Sequence, residues 1–153
     1  MRPVVGLLIA LFTLAPVSGA LALDYRVTGD NEMGLGLIDA DSVTAVGTKR
    51  RFALTVIFAQ KDGRPADVGV ASVLIDCDQD RYRIESVVSY DLDLKETARD
   101  PQASGWQIPD EDTPFFPAAA FVCRGGPLPK AEARELKDIL AGFLLRRSGA
   151  TSV

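Results

Sequence analysis

Two long extended segments around a short turn place the strongest constraint on how this chain folds. The first runs from Val68 to Cys77 and the second from Arg81 to Leu92. Side chains alternate along a strand, so the first segment collects its apolar residues on one face, namely Ala71, Val73, Ile75 and Cys77. The more apolar set of the second segment is Tyr82, Ile84, Ser86, Val88 and Tyr90. The pattern predicts an antiparallel hairpin in a sheet with one buried face.

The remaining elements give the order of strands and helices. Extended candidates precede the hairpin at residues 24–28, 35–38, 42–46 and 51–60. A short helix is predicted from Phe115 to Cys123, and Gly125-Gly126 would stop it. A longer helix is predicted to open at Pro129, and its apolar stripe consists of Leu136, Ile139, Leu140, Phe143 and Leu144. Strands first and helices last predict an α+β fold, with an antiparallel sheet of five or six strands followed by two C-terminal helices.

Residues 1–22 have the pattern of a cleavable signal peptide. Arg2 precedes an apolar run from Val4 to Ala15, and small residues follow it. We place the cleavage after Ala22, with the bond after Ala20 as the alternative. A membrane anchor is the other interpretation, but the apolar run is shorter than the ~20 residues that a spanning helix needs. No lipobox cysteine follows, so the sequence predicts a periplasmic or secreted domain at residues 23–147 and a flexible tail at 148–153.

Charge and cysteine content narrow the class of protein further. Removing residues 1–22 would remove only Arg2, leaving 16 basic and 21 acidic residues and a net charge of −5. Because phosphate binding needs a basic surface, nucleic acid is not expected as a partner. The two cysteines, Cys77 and Cys123, predict a disulfide in an exported chain. Free thiols or a metal pair are the alternatives, but the chain has no histidine and no CxxC motif.

Several acidic groups are candidate sites of chemistry. Asp76, Asp78 and Asp80 resemble the start of a calcium loop, but Arg81 stands where that loop needs glycine. Asp39 and Asp41 resemble a carboxylate pair, although such residues at a strand end usually form Asx turns. Without histidine, the usual Ser–His and Cys–His nucleophiles are unavailable. We therefore predict no catalytic, cofactor or metal residues, and no enzymatic activity.

A compact basic cluster, Lys49-Arg50-Arg51, stands out in the acidic chain. One interpretation is a contact for an acidic partner, either a host polyanion or an acidic protein surface. The other is a solvated hairpin edge, where charge guards against extension of the sheet.

The order of short motifs resembles the bacterial surface-adhesin protein E family over about residues 24–124. The motifs are Tyr25-Arg26-Val27, Ile38-Asp39-Ala40-Asp41-Ser42-Val43, Ile75-Asp76-Cys77, Tyr82-Arg83-Ile84, Trp106-Gln107-Ile108-Pro109 and Phe121-Val122-Cys123. The resemblance implies a small exported, disulfide-bonded sheet packed with helices, and adhesion to host matrix proteins together with ligand capture. No binding residue of the family is carried over to this chain.

These observations favour a non-enzymatic exported binding module with an unidentified protein partner and no cofactor. One alternative is a structural accessory of an envelope complex that docks through the apolar stripe of the second helix. The other is a small exported hydrolase that uses Asp39 or Asp41. No later segment is apolar and long enough to span a membrane.

Overall fold

The computed structural model describes residues 23–59 and 66–149. The predicted signal peptide at 1–22 and residues 150–153 of the predicted tail lie outside this part. The strands are β1 (Tyr25–Asn31), β2 (Gly34–Val46), β3 (Lys49–Phe58), β4 (Asp67–Asp76), β5 (Arg81–Tyr90) and β6 (Glu96–Asp100). The helices are α1 (Phe115–Arg124) and α2 (Leu136–Gly149).

The six strands form one sheet in the order β1-β2-β3-β4-β5-β6, and every neighbouring pair is antiparallel. This arrangement confirms the predicted α+β fold. Two predicted segments, 35–38 and 42–46, belong to the single strand β2, whose pairing with β3 is irregular between Asp39 and Thr44. β6 lies in a polar stretch for which no strand was predicted, and all five of its residues are exposed.

The helices lie on opposite faces of the sheet, which we call the α1 face and the α2 face. On the α1 face, Ala118 and Ala119 pack on a cluster made of Ile38, Phe52, Leu54, Ala71, Val73, Ile75 and Tyr82. On the α2 face, Ile139, Leu140 and Phe143 pack on Tyr25, Leu35, Leu37, Ile57 and Val68. The expectation of one buried face is therefore wrong, because each face buries part of its surface under a different helix.

A β-bulge at Glu85 explains how β5 contributes apolar side chains to the clusters on both faces of the sheet. Ser72 of β4 pairs with Ser86 and Val73 pairs with Ile84, so Glu85 is the extra residue. Beyond the bulge the alternation is inverted, and Val87 joins the α1-face cluster. Tyr82 and Ile84 thus lie on the α1 face, whereas Tyr90 packs with the α2-face cluster. The predicted single apolar set of this strand is divided by the bulge.

The second helix begins later than predicted. Residues 129–131 run along the outer edge of β1 instead of forming the first helical turn. The N–H of Val27 donates to the carbonyl of Pro129 at 2.8 Å, and the N–H of Ala131 donates to the carbonyl of Tyr25 at 2.9 Å. Because these bonds hold residues 129–131 along the edge of β1, the helix does not open at Pro129. It begins at Leu136.

The apolar stripe of α2 is part of the core, as its spacing predicts. Ile139, Leu140 and Phe143 are buried, and Leu136 and Leu144 pack against them. The helix continues through Ser148 and Gly149, which are the first two residues of the predicted tail.

The predicted disulfide is confirmed. Cys77, directly after β4, is bonded to Cys123 in α1, with their Cα atoms 5.4 Å apart. Gly125 ends α1 in a left-handed conformation with φ of 65°, and its N–H donates to the carbonyl of Phe121 at 3.1 Å. The bond therefore fastens the last turn of α1 to the sheet.

Candidate functional site

The predicted basic cluster does not form one patch. Because side chains alternate along β3, Lys49 and Arg51 lie on the α2 face and the intervening Arg50 points to the opposite side. Lys49 and Arg51 form ion pairs with residues of other strands, whereas Arg50 is an exposed residue away from them. The structure thus brings two of the three predicted contact residues together.

Trp106 lies at the centre of a larger cationic group on the α2 face. The centre of its ring is 4.8 Å from Cζ of Arg81, 5.2 Å from Cζ of Arg83 and 5.9 Å from Nζ of Lys49. These separations fall within the range of cation–π attraction. With Arg51 beside them, these residues form the basic–aromatic surface, defined as Lys49, Arg51, Arg81, Arg83 and Trp106.

Backbone pairing at the edge of β5 holds Trp106 in this position. The N–H of Gln107 donates to the carbonyl of Tyr82 and the N–H of Tyr82 donates back, both at 2.8 Å. The N–H of Ser104 also donates to the carbonyl of Ile84 at 2.8 Å. The segment from Ser104 to Gln107 therefore continues the sheet beside β5, and alternation turns Trp106 towards the α2 face.

One counterion of this surface is Asp76, the last residue of β4. Asp76 is only 3% exposed, and a carboxylate that is buried to this degree needs charged or hydrogen-bonding partners. Lys49 Nζ lies 3.1 Å and Arg81 Nη2 3.7 Å from its Oδ2. The hydrogen bond from Lys49 holds the pKa of Asp76 below its usual value. Asp76 thus helps to hold Lys49 and Arg81 over the tryptophan ring.

The second counterion is Glu85, the residue of the bulge. Arg51 reaches it through two bonds, Nε to Oε2 at 2.6 Å and Nη2 to Oε1 at 3.2 Å, and Arg83 Nη2 lies 3.5 Å from Oε1. The hydrogen bond from Arg51 lowers the pKa of Glu85. Four cations thus face two carboxylates, which leaves the surface with two positive charges in excess.

The acidic candidates have structural partners. Asp39 accepts the N–H of Asp41 at 3.1 Å, which is the Asx-turn geometry expected at this strand irregularity. Asp41 in turn accepts the N–H of Asp24 at 3.1 Å. Burial raises the pKa of Asp39. These carboxylates therefore organise the backbone where the β2–β3 pairing is interrupted.

The side chains of Asp76 and Asp80, from the run Asp76, Asp78 and Asp80, have different partners and do not form one site. Asp76 faces Lys49 within the sheet, whereas Asp80, at the turn, lies 3.7 Å from Arg124 of α1. Over residues 23–59 and 66–149 there is no group of three histidine, cysteine or acidic residues arranged to hold a metal ion.

Sequence reasoning missed Trp106, Arg81 and Arg83. The alternation in β5 carried a signal for the two arginines, since Tyr82 and Ile84 were assigned to the buried face and their neighbours therefore lie on the other. Nothing local indicated Trp106, because its position depends on pairing with a distant strand.

Comparison with known proteins gives no assignment, since no protein-family model, curated protein or solved structure matches this chain. Within the described part of the chain, no helix has both the length and the apolar character needed to cross a bilayer.

Proposed function

We propose that this chain is an exported, non-enzymatic binding module that contacts an acidic segment of a partner protein through the basic–aromatic surface. The observation that carries the proposal is the excess of cations around Trp106 in a chain of net charge −4. Carboxylates of a partner can pair with Arg81 and Arg83, whose side chains are 37% exposed. The flat ring of Trp106 supplies apolar contact area beside them.

Export is supported by two features. The pattern of the first 22 residues is that of a signal peptide. The disulfide between Cys77 and Cys123 is of a kind that persists in oxidising compartments. The resemblance to the surface-adhesin protein E family fits the same proposal, because adhesion to matrix proteins is also protein binding.

The alternatives have less support from the arrangement of residues. The envelope-accessory hypothesis needs the apolar stripe of α2 as a docking face, but Ile139, Leu140 and Phe143 are buried against the sheet. The hydrolase hypothesis needs Asp39 or Asp41 in a reactive setting, and both accept backbone hydrogen bonds instead.

A titration with short acidic peptides tests the proposal. Trp106 is the only tryptophan of the chain, so its fluorescence reports directly on the proposed surface. We expect a saturable change in emission with an oligo-glutamate peptide and none with the matching oligo-glutamine peptide. Binding should weaken as salt is raised, because exposed charges are screened.

Two matched variants locate the contact. Arg83→Gln should weaken oligo-glutamate binding by about threefold, the scale of one exposed ion pair. Arg99→Gln is the control, since Arg99 pairs with Glu96 on β6, away from Trp106. An equal effect of both variants, or equal binding of the glutamine peptide, would contradict the proposal. Tighter binding of a sulfated oligosaccharide of similar charge would replace the protein partner with a polysaccharide.

A further inference from the structure

An open cleft of about 580 Å³ lies on the α1 face, at the end of the sheet that α1 leaves uncovered. It is bounded by the turn between β1 and β2, by the facing ends of β3 and β4, and by the residues that lead into α1. Its apolar lining includes Leu54, Val56, Phe58, Ile84, Val87 and Phe115. This volume lies within the range of small-molecule sites, which are also mostly apolar.

Gly69 of β4 keeps part of the cleft floor free of a side chain. Gly34 and Gly36 of β2 also line the cleft, but a Cβ atom on Gly34 would meet the carbonyl oxygen of Ile57 and one on Gly36 would lie 2.5 Å from Oγ1 of Thr28. A Cβ atom on Gly69 would meet only the edge of the Phe58 ring, at 3.4 Å. A larger side chain at position 69 would therefore project into the cleft, and it is the absence of one that leaves the space open.

The charged side chains among the described residues that line the cleft have one sign. Glu111 and Asp112, which precede α1, line it, and no lysine or arginine of the described residues does. Neither carboxylate forms an ion pair with another described residue, unlike Asp76 and Glu85 on the opposite face. An apolar wall next to two carboxylates complements an apolar molecule with a positive group and disfavours a negative one.

We infer that this cleft binds a small apolar ligand that carries a positive charge. The apolar part lies over Gly69 and against Val56 and Phe115, and the cation lies beside Glu111 and Asp112. The site is independent of the proposed function, because the basic–aromatic surface lies on the other face of the sheet and has the opposite charge.

A displacement assay with the whole purified chain tests the inference. The neutral probe N-phenyl-1-naphthylamine should show a saturable rise in fluorescence. Decyltrimethylammonium should displace it at a concentration about tenfold lower than decanoate in low salt, with both below their micellar concentrations, because the two carboxylates favour the cation. Absence of a saturable rise, or displacement by decanoate at the same concentration, would overturn the inference.

Variants of cleft residues test where the probe binds. Gly69→Leu fills the floor and should reduce probe affinity by at least about tenfold, since a filled pocket loses the ligand's apolar contacts. Val70→Leu is the matched control, because its side chain lies on the α2 face and should leave binding unchanged. If circular dichroism shows that Gly69→Leu does not fold, Val56→Trp replaces it as the test variant, because it fills the same cleft from β3. Full probe binding in a folded cleft-filling variant would overturn the assignment.

A double variant, Glu111→Gln with Asp112→Asn, separates charge from shape. Neutral-probe affinity should be retained, whereas the preference for decyltrimethylammonium over decanoate should disappear. A preference that persists would contradict the role given to these carboxylates. Trp106 fluorescence should not respond to decyltrimethylammonium at these concentrations, which keeps this test separate from that of the basic–aromatic surface.

Discussion

Arg51 of β3 and Glu85 of β5 are joined by a two-point ion pair that passes over the intervening strand β4. Glu85 lies on the α2 face with Arg81 and Arg83, because side chains alternate along β5 up to the bulge. Glu85 therefore neutralises part of the basic–aromatic surface from within.

Removing that neutralisation should strengthen acidic-ligand binding. Glu85→Gln keeps the side-chain length but leaves Arg51 and Arg83 without their carboxylate. We expect the oligo-glutamate dissociation constant to fall by about threefold at low salt, the scale of one exposed charge pair. Glu96→Gln, which unpairs Arg99 on β6, should leave it unchanged. An unchanged or weaker affinity in Glu85→Gln would show that the excess charge does not drive binding.

Acid stability should depend on Lys49. The pKa of Asp76 is lowered in the folded chain, chiefly by its hydrogen bond from Lys49, relative to an ordinary value of 3.8. A lowered pKa stabilises the folded state above the ordinary pKa, and this contribution is lost as the pH falls through the folded value. Lys49→Met should therefore shift the acid-unfolding midpoint to higher pH.

Circular dichroism from pH 7 to pH 2 measures that shift. Lys137→Met is the control, because Lys137 pairs with the exposed Glu135. The same midpoint in Lys49→Met as in the unaltered chain would show that Asp76 does not depend on this lysine.

Loss of the disulfide should lower the free energy of unfolding substantially. Cys77 and Cys123 are 46 residues apart, and closing a loop of that length stabilises the chain by about 4 kcal/mol in the chain-entropy model. We expect the double variant Cys77→Ala, Cys123→Ala to lose a large part of this in denaturant unfolding. Reductant should destabilise the unaltered chain to a similar extent and leave the variant unaffected. A loss below about 1 kcal/mol would contradict the role of the bond as a fastener of α1.

The close packing of Pro114, the residue before α1, against the sheet should depend on Gly36. A Cβ atom there would lie 2.5 Å from Oγ1 of Thr28 and 2.8 Å from Cβ of Pro114. Gly36→Ala should therefore cost about 1–3 kcal/mol, the usual penalty for overpacking. Gly29→Ala is the matched control on β1, where no described residue other than its chain neighbours has an atom within 4 Å of the added carbon. Equal unfolding midpoints for the two variants would show that the close approach is not constraining.

The elements with local signals were predictable. Alternation around Cys77 placed it on the apolar face of β4, and the spacing of Ile139 and Phe143 placed α2 on the core. These predictions succeeded because the periods of strand and helix are local properties of the chain.

The errors come from contacts between distant segments. Pro129 is a good first residue for a helix, yet its carbonyl accepts the N–H of Val27 at the edge of β1. The bulge at Glu85 leaves no trace in a sequence that alternates normally on both sides of it. Only two of the five residues of the basic–aromatic surface were predicted, because Lys49 and Arg51 are near neighbours in sequence whereas Trp106 joins them through pairing with β5.

The diagonal arrangement of the helices makes the molecule two-sided. α1 covers one end of one face and α2 the other end of the opposite face, so the uncovered areas are also diagonal. One holds the cleft with its acidic rim, and the other holds Trp106 with the cations around it. The backbone of the sheet separates them, so occupancy of one does not obstruct the other. Together, the two proposed sites predict a bivalent adaptor that links two chemically unlike ligands across a single layer of strands.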